Sequence, residues 1–161
     1  MKTIVVYYSM GGNTELVARK IAEKTGAETL RLVPVKAYPD KGFKKFFWGG
    51  RSAVMAETPE LEPYTFDGAS YERIVFGFPV WASTVTPPIR TFIKDNAEAI
   101  KGKSFAAFAC LAGSGAEKAF GKLRDALGIE SFDATATFID PKGKPADVVD
   151  EKVDQFVASL G

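Results

Sequence analysis

Three short stretches hold residue types whose spacing suits binding chemistry. The first is Ser9-Met10-Gly11-Gly12-Asn13-Thr14, which sets hydroxyls, a carboxamide and adjacent glycines between an apolar run and a helix-like pattern. Glycines let the backbone come close to a ligand. Unpaired N–H groups at a helix start, with the helix dipole behind them, favour an anion such as a phosphate. This stretch contains no Lys or Arg, so the anion would be held by N–H groups, the Ser9 and Thr14 hydroxyls and the Asn13 amide. The second stretch, Pro79-Val80-Trp81-Ala82-Ser83, puts a tryptophan directly beyond another apolar run. An indole there can stack on a flat heteroaromatic group, exclude water and tune its electron affinity. The third, Cys110-Leu111-Ala112-Gly113-Ser114-Gly115, is small enough to bring its backbone alongside the edge of such a ring. Plainer alternatives stand beside these: a well-capped strand–helix turn, a tryptophan that anchors its loop in the core, and an ordinary glycine-rich connection.

Two counts remove whole reaction classes. The chain has no histidine, which excludes Ser-His-Asp and Cys-His triads, histidine-ligated metals and imidazole acid–base work. It has a single cysteine, so there is no internal disulfide, no CxxC redox pair and no iron–sulfur site. Cys110 reads as a small buried hydrophobe. Redox chemistry, if present, must be carried by an organic cofactor. A net charge of +1 argues against nucleic acid as a partner. No apolar run reaches the roughly 18 residues that a membrane span needs, and Met1-Lys2 leads straight into an apolar strand, so the expected location is the cytoplasm.

The elements that must position these stretches follow from periodicity. Residues 4–8 (Ile-Val-Val-Tyr-Tyr) are apolar without alternation, as in a strand covered on both faces. A helix follows to Thr25-Gly26, and 28–33 reads as a shorter strand. Residues 34–70 are irregular. Phe43, Phe46, Phe47 and Trp48 suggest a short amphipathic helix or turn, interrupted by Gly49-Gly50, and the segment is expected to pack across one face or rim. Residues 74–78 form the third strand, and Thr86 followed by Pro87 starts a helix that Gly102 closes. Residues 104–110 are the fourth strand. Ala116, Phe120, Leu123 and Leu127 stripe the next helix, 132–139 is the fifth strand, and Val149, Val153, Phe156 and Leu160 line the last helix. Strands alternating with helices, each strand apolar on both faces, predict one α/β domain over 1–161, with a doubly wound five-stranded parallel sheet and helices on both faces. Ligands in such sheets bind beyond the carboxyl ends of the strands, which selects the loops 9–14, 79–86 and 110–115. Adjacent glycines in the first loop are neither GxGxxG nor a Walker A sequence. A phosphoacceptor domain is also excluded, because Tyr8-Ser9 and Gly77-Phe78 supply no carboxylates at the strand ends.

Taken together these residues resemble the flavodoxin family over nearly the whole chain. Ser9-Met10-Gly11-Gly12-Asn13-Thr14 resembles its phosphate loop, Gly77-Phe78-Pro79-Val80-Trp81 its segment after the third strand, and Pro87-Pro88-Ile89-Arg90-Thr91-Phe92 its helix start. The resemblance implies strand order 2-1-3-4-5 of the short-chain branch and FMN as cofactor. By that likeness the phosphate lies in the first loop, 79–83 approach one face of the isoalloxazine, and 111–115 approach its pyrimidine end. It implies either an electron carrier working with a redox partner protein, or an FMN-dependent reductase taking hydride from NAD(P)H for a quinone or other small acceptor. Three departures stand out. Gly11 replaces a usual hydroxyl residue, worth about 1 kcal/mol of a phosphate hydrogen bond. The third loop lacks an aromatic, and the strong acidity of electron carriers is missing. In addition, no glycine follows Trp81, so a positive φ at Ala82 or Ser83 would cost roughly 1–2 kcal/mol.

Overall fold

The computed structural model describes residues 1–36 and 58–161. Its centre is β1 (Thr3–Tyr7), whose five residues are all buried. Side chains of a strand alternate between faces, and here both faces are covered. Ile4 and Val6 join one cluster and Val5 and Tyr7 the other. β3 (Arg73–Pro79) and β4 (Ser104–Leu111) divide in the same way, Ile74, Phe76 and Phe78 lying opposite Val75. The sheet is completed by β2 (Glu28–Arg31) and β5 (Thr135–Ile139) in the order β2-β1-β3-β4-β5, every pair parallel. This is the expected 2-1-3-4-5 order. It places the C-terminal ends of β1, β3 and β4 side by side.

Helix α1 (Asn13–Thr25) and helix α5 (Ala146–Ser159) cover one face through Val17, Ala18, Ile21, Val149, Val153 and Phe156. On the other face are α2 (Pro87–Asp95), the single turn α3 (Ala97–Ile100) and α4 (Ala116–Leu127), which contribute Ile89, Phe92, Ile93, Ile100, Phe120 and Leu123.

Several expectations are corrected. The edge strands are not apolar on both faces: three of the four residues of β2 are exposed, and only Phe138 is buried in β5. An edge strand has one sheet neighbour and less helix above it, so polar residues are tolerated there. The helix expected from 87 to 102 breaks at Asn96, whose carboxamide donates to the Phe92 carbonyl (2.9 Å) and the Tyr64 hydroxyl (2.8 Å). These local bonds offer the backbone an alternative to helix continuation. Thr86 precedes α2 as expected, with Pro87 at its first position, but makes no side-chain cap.

Of the irregular segment, the aromatic group Phe43, Phe46, Phe47 and Trp48 lies outside the described residues. The flanks do pack as expected: Val35 N–H donates to the Glu60 carbonyl (2.9 Å), Glu62 N–H donates to that of Val33 (2.7 Å), and Tyr64 and Phe66 lie against the cluster holding Phe92.

Candidate functional site

A cavity of about 480 Å³ opens where β1, β3 and β4 end, within the range of small-molecule sites. At one end it is lined by Ser9, Met10, Gly11, Asn13 and Thr14. The chain leaves β1 and enters α1 through Gly12, at φ 93°. An L side chain there would be strained and would also meet Lys142 Nζ at 3.2 Å. The buried Ser9 hydroxyl accepts the N–H groups of Gly12 and Glu15, each at 3.2 Å. With its lone pairs so engaged, its hydrogen is left to donate. Among the described residues the N–H groups of Met10, Gly11, Asn13 and Thr14 have no acceptor. Four backbone donors and a hydroxyl hydrogen at the start of a 13-residue helix form a cradle for an anion.

The other end is apolar, lined by Pro79, Val80, Trp81, Leu111 and Ala112, with Cys110 at its floor. Trp81 is not sunk into the core. It is half-exposed and meets buried Tyr8 edge-on, centroids 5.7 Å apart. The chain then reverses in a tight turn, Trp81 and Thr84 exchanging backbone bonds of 3.3 and 3.0 Å. Ala82 and Ser83 both take positive φ, 50° and 57°, the signature of a type I′ turn. The turn is held from below, since Arg90 Nη2 donates to the buried Thr84 hydroxyl at 2.8 Å. Burial pulls the Arg90 pKa below its usual value.

Burial also pushes the Cys110 thiol up to about 12, opposed by a hydrogen bond with Thr14, so Cys110 is a protonated wall of the site. Val80 N–H donates to the Cys110 carbonyl at 2.9 Å, joining the second and third stretches.

Eleven of the sequence-selected residues thus line one cavity. Gly12, Ala82, Ser83, Gly113, Ser114 and Gly115 do not. Gly12 shapes the cradle from behind, and the turn carries Ala82 and Ser83 away. Gly115 backs onto that turn, because a Cβ on it would stand 2.6 Å from Ser83 Oγ.

What sequence reasoning missed is the loop leaving β5. Ile139, Asp140 and Lys144 line the cavity. Lys142 donates its N–H to Asn13 Oδ1 (2.9 Å) and its ammonium group to the Gly11 carbonyl (3.0 Å). From the other side Arg31 Nη2 donates to the Ser9 carbonyl (3.1 Å) while Nη1 pairs with Glu15 (2.6 Å). The cations absent from the turn therefore come from distant segments. A signal was available in Pro141-Lys142-Gly143-Lys144, two lysines at a strand's carboxyl end.

Acceptorless N–H groups and a half-exposed tryptophan thus meet at the carboxyl ends of the strands of a doubly wound sheet, where α/β proteins of this class bind ligands. The flavodoxin family model matches residues 2–137, and the chain belongs to that family. Among solved structures it is similar to a flavoprotein in complex with FMN from Lactobacillus acidophilus NCFM, with 20% identity, TM-score 0.75, and 96% of this chain and 97% of that one covered. It is also similar to a protein from Bacteroides uniformis ATCC 8492 provisionally classed as a flavoprotein (23%, 0.74, 95% and 97%). Oxidised flavodoxin 1 from Bacillus cereus matches at 21% and 0.56, over 99% and 97%. Among the described residues no helix is long and apolar enough to cross a membrane.

Proposed function

We propose that this chain binds FMN in the cavity at the ends of β1, β3 and β4 and works as an electron-transfer flavoprotein. The observation that carries this reading is a single cavity joining four acceptorless N–H groups at the start of α1 to a half-exposed tryptophan. The polar end suits a phosphate and the apolar end a flat ring. The same ligand in the Lactobacillus acidophilus protein supports the choice of flavin.

When bound, FMN supplies the electron chemistry through its isoalloxazine. The chain's own residues then have simple tasks. Met10, Gly11, Asn13 and Thr14 donate N–H groups to the phosphate, and the Ser9 hydroxyl adds its hydrogen. Trp81 covers one face of the ring and keeps water from it. Leu111 and Ala112 close the opposite edge without an aromatic partner.

The carrier reading is favoured by the ring end of the cavity. Its lining is apolar, and the Cys110 thiol holds its proton up to about pH 12. Among the described residues Pro79, Val80, Trp81, Leu111 and Ala112 at that end bring no titratable side chain, which suits electron exchange with a redox partner protein. In the alternative reading the ring face not stacked on Trp81 admits NAD(P)H and a small acceptor such as a quinone.

Titrating the protein with FMN should quench flavin fluorescence saturably at one flavin per chain; no quenching would remove the assignment. Stepwise reduction of the loaded protein separates the two roles. A plateau after one electron, with NADPH left unoxidised, supports the carrier. Prompt NADPH oxidation sustained by a quinone supports the reductase.

A further inference from the structure

The loop leaving β5 closes the phosphate end of the cavity from a side that none of the three sequence stretches occupies. It is docked through Lys142, whose backbone and side chain each bond the turn before α1, at Asn13 Oδ1 and the Gly11 carbonyl. Its entry is a left-handed Asp140, at φ 43°, and a side chain at Gly143 would collide with the Asp140 carboxylate at 2.2 Å. That conformation sets both Asp140 and Lys144 into the cavity wall.

Charge makes this wall matter. The cradle itself offers only neutral donors, and a phosphate monoester brings close to two negative charges. The Asp140 carboxylate on the same wall would oppose it. Arg31 is already engaged by Glu15. Among the described residues the Lys144 ammonium group has no carboxylate partner. Its four-carbon stem gives it the reach to act as a mobile point charge.

We propose that the β5 loop is a fourth wall of the binding site, in which Lys144 is the counter-charge that makes the cavity prefer a flavin ending in a phosphate over the same flavin without one. Lys142 is a positioning residue that fixes the loop and the turn together. This inference rests on the flavin reading above and adds to it a determinant of ligand choice.

The test compares FMN and riboflavin binding, by fluorescence quenching at low and high salt, in the whole chain and in Lys144→Ala, Lys144→Arg and Lys144→Glu. Lys144→Ala should weaken FMN about three- to fivefold, the upper range for an exposed charge pair, as the ligand is doubly charged. Riboflavin affinity should stay within about twofold, since no phosphate is involved. The salt dependence of FMN binding should flatten in Lys144→Ala, recover in Lys144→Arg, and the FMN loss should deepen in Lys144→Glu. Equal losses for both flavins, or unchanged FMN affinity in Lys144→Ala, would overturn the counter-charge. Failure of the unmodified chain to bind either flavin would instead remove the underlying reading, so the two failures are told apart.

Discussion

At the turn before α1 the backbone enters the left-handed region at a glycine, Gly12 (φ 93°), whereas at the tryptophan turn it does so at Ala82 and Ser83 (50° and 57°). Both turns border one cavity, yet only the first is relieved of side-chain strain. A non-glycine residue in this region costs about 1–2 kcal/mol. The cost expected for a positive φ at Ala82 or Ser83 is therefore present in the fold itself. The Trp81–Thr84 bonds and the Arg90–Thr84 bond hold the turn there. The cradle is thus a relaxed surface shaped for an anion, and the tryptophan turn is a loaded one.

The largest effect that would break this contrast is expected at Gly12. Gly12→Ala adds left-handed strain and crowds Lys142, so stability should fall by about 2 kcal/mol and FMN affinity with it; urea unfolding and flavin quenching measure both. Next, Trp81→Ala should cost about tenfold in flavin affinity through lost stacking, while unchanged affinity would assign Trp81 to loop packing alone. Ala82→Gly should act with opposite sign to Gly12→Ala, raising stability by about 0.5–1 kcal/mol because glycine accepts the turn without strain. Equal and destabilising effects at both turns would dissolve the comparison. The effect of pH is nil near neutrality and confined to alkali. The folded Cys110 pKa, about 12, lies above its ordinary 9.0, so the unfolded chain releases this proton first. Stability should be intact below pH 9 and decline between about 9 and 12, with less decline in Cys110→Ala under the same denaturant titration.

The sheet was legible because uninterrupted apolar runs mark buried parallel strands, and Val5, Val75 and Ala106 sit where those runs demanded. The cradle was legible because a glycine-containing turn joins such a strand to a helix. Two kinds of information were hidden. Lys142 and Lys144 follow the last strand, far in sequence from Gly11, and only folding brings them to it. The break at Asn96 depends on Tyr64, a partner some thirty residues earlier, which local periodicity cannot contain. Edge strands were misread because burial depends on neighbours a strand has, and β2 has only one.

Beneath the cavity, Gly77 of β3 stands in register with Phe108 of β4. A methyl group on Gly77 would fall 2.2 Å from the Phe108 ring, which is itself wedged edge-on against Phe138 and Phe156. One aromatic side chain therefore fills the room of two residues. Bulk at the two positions can only be traded: Gly77→Ala alone jams the sheet, while pairing it with Phe108→Leu restores the lost clearance. Gly77 and Phe108 thus share one volume between neighbouring strands, and a lineage that adds bulk at one position must remove it at the other.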